Sequence, residues 1–477
     1  MNDIARLARG VILTGVAQMP DDEQLGFAGY LLFARNATSA AQMRAFTDAL
    51  RERSGGRPPI LAIDQEGGRV ARLQDGIERI PSMMALGAAG DLELAQRAGE
   101  QTAFDLRRAG CTLDLAPVLD LALDPNNTVI GTRSFGGDPQ RVAALGAAFA
   151  RGLQNGGITP CYKHFPGHGA TATDSHEALP VVHADEATLR ARDVAPFAAV
   201  ARDAPAMMSG HLLVRAFDTQ HPATLSRAIS TELLRERLGF GGALLTDCLE
   251  MEAVAAHEPD LAAGADLLLF SHHVDLALRA AAQIEAAVAD GRLPLERLEE
   301  AHARVARLRD AAQPPLPLDA YPPHPNVGRE IARRAITVVH GIPEASPLAS
   351  IAVSFGGAID ALAREAPALQ TLETPLDPAP QDLATLRDAL ERSQRRPILL
   401  ARRAHLYRRQ ADAIRAILEG YRDAVVVSLL EPFDLSLFGA ARHLLAAYGD
   451  DAPSLRGLAD VLFGASMPSG RLPVTLP

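Results

Sequence analysis

Short apolar runs punctuate the first 310 residues: VILTG (11–15), YLLF (30–33), ILAID (60–64), TLDLAPV (112–118), TPCYKHF (159–165), AMMSG (206–210), ALLTD (243–247) and DLLLF (266–270). They show almost no polar alternation, as expected of strands buried on both faces in a parallel sheet. The segments between them are rich in Ala, Leu and Arg at helical spacing. One of them, AALGAAFARGLQNGG (143–157), ends in Gly, a helix stop signal. Eight strand-helix units in succession predict a (β/α)8 TIM-type barrel.

The pattern breaks at QPPLPLDAYPPHPNVG (313–328), whose six prolines preclude a regular helix and favour an extended, semi-rigid linker. Apolar runs then resume at AITVV (335–339), SIAVSF (350–355), PILLA (397–401), AVVVSLL (424–430) and LLAAYG (444–449), with helical stretches between them. The expected architecture is α/β throughout. A catalytic (β/α)8 barrel spans 1–312, a Pro-rich linker and connecting helix 313–334, and a C-terminal αβα sandwich 335–477.

Composition narrows the function classes. With 48% hydrophobic and 22% charged residues, the 477-residue chain has ample core-forming material. Lys and Arg number 47 against 58 Asp and Glu, a net charge of −11. That excess of acid argues against nucleic-acid or anionic-membrane binding. No apolar run is long enough for a transmembrane helix, and MNDIARLARG does not read as a signal peptide. Cys111, Cys161 and Cys248 are scattered without CxxC spacing and read as reduced thiols. These features together give a cytoplasmic reading.

In barrels of this kind chemistry sits where strands end and βα loops begin. The polar residues there are Asp64-Gln65-Glu66-Gly67-Gly68-Arg69 with Arg72, Arg133 in GTRSFG, Lys163-His164 running on to Asp174-Ser175-His176, and Asp247-Cys248. Singly, each has a structural explanation. Asp247 can cap a helix, Asp64 can do the same or pair with a cation, Arg133 can brace a loop, and Cys248 can be buried packing. His164, His168 and His176 are spaced H-x3-H and H-x7-H, which matches no structural zinc pattern, so no metal and no cofactor is expected. Together, a ring of Asp, Lys, His and Arg suits a polyhydroxylated substrate. Residues i and i+2 of an extended segment project to one side, so Asp174 can orient the His176 imidazole. A histidine so held can donate a proton and later reclaim it. Gly167 and Gly169 either loosen this loop or simply form a turn.

The stretches IDQEGGRVARL, GTRSFG, KHFPGHGATATDSH and LLTDCLEM, with LLFARN (31–36) and PATLS (222–226), resemble bacterial β-N-acetylhexosaminidases of glycoside hydrolase family 3. The ending VLFGASMPSGRLPVTLP (461–477) is similar to the close of that family's second domain. The resemblance implies that Asp247 is the nucleophile and His176 the general acid/base, with Asp174 its partner. It assigns substrate contacts to Asp64, Arg72, Arg133, Lys163 and His164. It departs at Ala170, where relatives often carry Asp after the GHG; that position is outside the catalytic set.

The activity implied is retaining removal of non-reducing terminal N-acetylglucosamine from short β-linked fragments through a glycosyl-Asp intermediate. GlcNAc-anhydro-MurNAc (with or without peptide) in cell-wall recycling is the implied source. Transfer to phosphate by the same residues is an alternative, because an imidazole base is neutral where a carboxylate would repel the anion. A metal-dependent hydrolase on the same barrel and a non-catalytic sugar-binding protein are more distant alternatives. No Trp and 4% aromatic residues argue against long stacking platforms for polymeric chitin. The expected partner is a small carbohydrate, with no nucleic acid or membrane, and the chain is expected to be a monomer or homodimer. The second unit offers no acid/base pair, and its His340, His405 and His443 read as surface or packing residues.

Overall fold

The computed structural model describes residues 3–171, 179–252, 254 and 261–477. The eight apolar runs of the first half all contribute strands: β1 (Ile12–Gly15), β2 (Gly29–Leu32), β3 (Ile60–Ile63), β4 (Leu113–Asp114), β5 (Thr159–Phe165), β6 (Ala206–Ser209), β7 (Ala243–Cys248) and β8 (Leu267–Phe270). They close into one barrel in the order β1-β8-β7-β6-β5-β4-β3-β2, every pair parallel. Alternate residues go to opposite sides of the wall. Leu13, Leu31, Ala62, Leu245 and Leu269 fill the interior, with Val305 and Leu308 of the helix Leu295–Asp310 in the same cluster. Ile12, Tyr30, Leu61, Leu244 and Leu268 point outward into the layer beneath the helices. Both faces are therefore apolar, which is why the runs read as continuous. Each fully buried Leu or Ile stabilises the fold by roughly 1.5–3 kcal/mol.

The helical ring is less regular than eight equal units. Between β1 and β2 stands only the 3-10 turn Asp22–Gln24, capped by Asp21, whose side chain accepts from the Glu23 and Gln24 N–H groups. Pro20 before it and Gly26 after it leave no room for a longer helix. The helix after β6, Ala228–Arg237, is wound in π fashion. Among the described residues no helix is long and apolar enough to cross a membrane, and the three cysteines are separate buried thiols.

The Pro-rich stretch is pinned to the barrel wall. Arg107 Nη2 donates to the Pro314 carbonyl at 2.8 Å, Arg44 Nη1 to that of Leu316 at 2.8 Å, and Arg108 Nη2 to that of Leu318 at 2.6 Å. The helix Val327–Ala335 then joins the two parts of the chain through Arg97–Glu330 (2.7 Å) and Arg334–Asp91 (2.7 Å) ion pairs.

The C-terminal part holds a six-stranded sheet: β9 (Thr337–His340), β10 (Ser350–Phe355), β11 (Gln370–Thr374), β12 (Arg396–Ala401), β13 (Val425–Ser428) and β14 (His443–Ala446). The order is β9-β14-β13-β12-β10-β11, parallel except for the antiparallel edge pair β9/β14. Ile351, Val353 and Leu399 pack on one face with Leu386 and Ile414. Ala352, Ile398 and Leu400 pack on the other with Leu362 and Leu458. Helices on both faces make an αβα sandwich. Strand β11 had no hydrophobic signature in the sequence, because most of this edge strand faces solvent and only its backbone pairing with β10 defines it.

Candidate active site

The described site residues singled out from the sequence lie at the C-terminal mouth of the barrel. Asp64 follows β3, Lys163 and His164 directly precede Phe165 at the end of β5, Asp247 is the penultimate residue of β7, and Arg133 closes the turn Gly131–Arg133. Register irregularities interrupt the ladder between Tyr162 and Phe165 on β5 and between Leu245 and Cys248 on β7. Bulges of this type turn side chains out of the regular alternation, and here they coincide with Lys163, His164 and Asp247. Asp64, Arg72, Arg133, Lys163, His164 and Asp247 all line one cavity of about 310 Å3, near the lower end of small-ligand pockets. Asp174 and His176 lie outside the described residues.

The floor of the cavity is a buried charge network. Lys163 Nζ contacts Asp64 Oδ1 at 2.8 Å and Glu66 Oε1 at 2.7 Å. Arg133 grips the same Glu66 with two parallel bonds, Nε to Oε2 at 2.8 Å and Nη2 to Oε1 at 2.7 Å. Arg72 Nη2 reaches Asp64 Oδ2 at 3.3 Å. Burial opposes the charge on Glu66, but Arg133 and Lys163 overcome it and hold the carboxyl far below its ordinary range. Below this network Asp114 behaves differently. Burial raises its pKa well above the ordinary value even though Oδ1 accepts the Gln65 N–H at 3.0 Å.

Asp120, fully buried, organises the histidines. It accepts His164 Nδ1–H at 2.6 Å and the His168 backbone N–H at 2.7 Å. The first bond fixes the ring of His164 and commits Nδ1, so the cavity meets a ring of set orientation. Gly169 permits this loop to approach closely: a Cβ there would stand 2.0 Å from the Leu121 carbonyl oxygen. Close packing, rather than loop mobility, is what this glycine serves.

Asp247 is partly exposed to the cavity. Its Oδ1 accepts the Cys248 N–H at 2.7 Å, and no ion pair among the described residues engages its other oxygen. Burial works against its charge, yet the imidazoles of His164 and His211, the Cys248 N–H and Lys163 together keep it below the usual carboxylate range. His211 braces the strand end, with Nε2 at 2.9 Å from the Cys248 carbonyl and Nδ1 at 2.9 Å from Thr224 Oγ1. The PATLS stretch supplies that threonine.

The described cavity lining thus carries three carboxylates (Asp64, Glu66, Asp247) against three permanent cations (Arg72, Arg133, Lys163). So balanced a set offers donors and acceptors in number without a net field, which matches an uncharged polyhydroxyl ligand. One wall is apolar and aromatic: Phe33 stacks on His272 with centroids 5.4 Å apart. Among the described residues no group of three His, Cys, Asp or Glu side chains is placed to hold a metal ion.

Sequence reasoning missed Glu66, Asp120, His211 and His272 as site residues. Glu66 stood inside the quoted IDQEGGR stretch, two positions from Asp64, and was the legible omission. Asp120 and His211 act through partners 44 and 37 residues away, which no local pattern shows.

Comparison with known proteins agrees with this architecture. The Glycosyl hydrolase family 3 N terminal domain profile matches residues 19–308. A β-hexosaminidase of Pseudomonas aeruginosa (strain LESB58) is 40% identical over 248 residues, 50% of this chain and 73% of that protein. One of Thiobacillus denitrificans is 36% identical over 303 residues, 60% of this chain and 84% of that protein. Among solved structures, a glycoside hydrolase family 3 β-N-acetylglucosaminidase from Paenibacillus sp. str. FPU-7 superposes with a TM-score of 0.91 at 30% identity, covering 100% of this chain and 99% of that one. With a cavity at the barrel mouth, a profile spanning most of the barrel and relatives at this identity, the chain belongs to glycosyl hydrolase family 3 and is a glycoside hydrolase.

Proposed function

We propose that the protein is a retaining exo-β-N-acetylglucosaminidase in which Asp247 is the nucleophile and His176, oriented by Asp174, is the general acid/base. The observation that carries this reading is the contrast among the cavity's carboxylates. Asp64 and Glu66 are committed to Lys163, Arg72 and Arg133, whereas Asp247 stays ionised with one oxygen outside any described ion pair. In the first step an oxygen of Asp247 bonds to the sugar C1 as the glycosidic C1–O bond breaks, and His176 gives its proton to the departing oxygen. In the second, water attacks C1 and returns a proton to His176 while Asp247 leaves as carboxylate. Asp64, Arg72, Arg133, Lys163 and His164 hold the sugar hydroxyls.

The names of the relatives support β-N-acetylhexosaminide substrates. The small cavity and the scarcity of aromatic residues favour short fragments, of which GlcNAc-anhydro-MurNAc and its peptides, met in the cytoplasm during cell-wall recycling, are the proposed source. Intact-protein mass spectrometry with a slow fluorinated N-acetylglucosaminide, followed by peptide mapping, is expected to place one glycosyl adduct on Asp247. Asp247→Asn is expected to form no adduct and to lose about 10⁴-fold or more in kcat. An adduct on another residue, or undiminished turnover by the variant, refutes the assignment. Product analysis in phosphate buffer separates hydrolysis from transfer to phosphate by the presence of a sugar 1-phosphate.

A further inference from the structure

The second domain supplies none of the described cavity-lining residues, which run from Leu31 to His272. It does meet the back of the segment that carries Arg133 and Val129 into that cavity. Within the barrel, residues 124–133 are held by Arg69, whose Nη2 donates to the Thr128 and Val129 carbonyls at 2.6 and 2.7 Å. Asn127 adds bonds to the His168 carbonyl (3.0 Å) and the Ile130 N–H (3.0 Å). Two side chains of the second domain meet the segment, one through a hydrogen bond and one by filling space. His405 Nε2 lies 2.9 Å from the Pro125 carbonyl oxygen while its Nδ1 lies 2.7 Å from Asp434 Oδ1. Glu431 Oε1 fills the space beside Gly131, 2.0 Å from where a Cβ would stand, at a residue whose φ is +44°.

Each ring nitrogen of His405 faces an acceptor, an arrangement that favours the doubly protonated ring. Asp434 is fully buried and also accepts the His405 N–H (3.0 Å) and Ser428 Oγ–H (3.2 Å). Glu431, also buried, is gripped by Arg403 through two bonds of 2.9 Å. Apolar packing would dock two domains as well or better, because desolvating ions costs much of what their pairing returns. What ions add is directional registry, here applied to one segment. That segment transmits it: the Val129 carbonyl accepts Arg133 Nη1–H at 3.2 Å, and the same guanidinium donates the two parallel hydrogen bonds to Glu66.

We infer that His405, backed by Asp434 and seconded by Glu431, is a positioning residue for the catalytic cavity, through which the second domain sets where Arg133 meets the sugar. The inference rests on the function proposed above, and its test separates the two. His405→Leu removes the bond to Pro125; His405→Asn keeps a nitrogen near the Nδ1 position and does not reach Pro125; His405→Gln carries an amide nitrogen to the Nε2 position. Each is compared with wild type, and His405→Leu also in an Arg133→Lys background, for KM and kcat on a nitrophenyl N-acetylglucosaminide, melting temperature and hydrogen exchange of residues 124–133.

His405→Leu and His405→Asn are expected to raise KM about tenfold with a smaller change in kcat, and to open the segment to exchange. His405→Gln is expected to restore both readouts to within about threefold of wild type, and His405→Leu to change KM less than about twofold once Arg133 is Lys. Equal KM in wild type, His405→Leu and His405→Asn, or the same fold-change in both backgrounds, overturns the inference. If His405→Leu does not fold, the contrast between Asn and Gln decides. If wild type cleaves no N-acetylglucosaminide, the functional reading fails, and exchange of the segment in the same variants still decides the clamp.

Discussion

Glu66→Gln changes one oxygen for an NH2 group and removes the charge from the most heavily committed carboxylate in the cavity. Glu66 is 1% exposed and takes three charge-assisted contacts of 2.7–2.8 Å, two from Arg133 and one from Lys163. The new NH2 group cannot accept, so even when it takes the Oε2 place the Arg133 Nε bond is forfeited, about 1.5–3 kcal/mol for a bond to a charged group, while the two bonds to the remaining oxygen lose their anionic partner. The resulting loss of about 3 kcal/mol sits at the low end of the roughly 3–5 kcal/mol measured when one partner of a buried ion pair is removed. That is reasonable for a substitution that keeps shape. If the whole loss fell on the placement of Arg133 and Lys163 in the transition state, kcat/KM would drop about 150-fold. Part will appear as lowered stability instead, so a fall of about 10–100-fold is expected. The assay is initial-rate kinetics on a nitrophenyl N-acetylglucosaminide alongside a thermal melt. A variant that keeps kcat/KM within about twofold of wild type and melts at the same temperature would show that the network contributes nothing to either, and the reasoning would be wrong.

Two other tests follow from the electrostatics. Although burial disfavours the His405 cation, its bond to Asp434 and the charge of that carboxylate raise its pKa above the ordinary histidine value, with Glu431 adding to the effect. A raised folded-state pKa contributes stability that is complete below about pH 6.5 and fades as pH rises through the folded value. The melting-temperature gap between wild type and His405→Gln should therefore be widest in mild acid and narrow on the alkaline side; a gap that widens with pH contradicts the assignment. Burial pushes the Cys111 thiol up to about 12 and that of Cys248 up to about 11, and also raises Cys161. The native protein should resist thiol reagents at mildly alkaline pH and expose three reactive groups only on unfolding, as a colorimetric thiol titration will show.

Much of this protein was legible in its residue order. All eight barrel strands were foreseen because both faces of a closed parallel wall are apolar, leaving runs such as ILAI and ALLT that need no partner to be recognised. Six of the eight named site residues were then found on the cavity, because strand ends at the barrel mouth converge whatever their separation along the chain; the other two fall outside the described residues. What stayed hidden had a different physical origin. Strand β11 is a polar edge strand whose existence depends on a neighbour's backbone. Asp120 looked like any acid in a Leu-rich stretch until folding set it against His164 and His168.

His405 is the plainest case. Read as a surface or packing residue, it stands instead between Asp434 and the Pro125 carbonyl, 280 residues away in the chain. Hydrophobic periodicity is a local property and determined the barrel, the break at the prolines and the sandwich. Which carboxylate is tied to a cation, which remains available, and which side chains of the second domain meet residues 125 and 131 depend on groups brought within a few ångströms across long stretches of chain, and only the tertiary structure decided those.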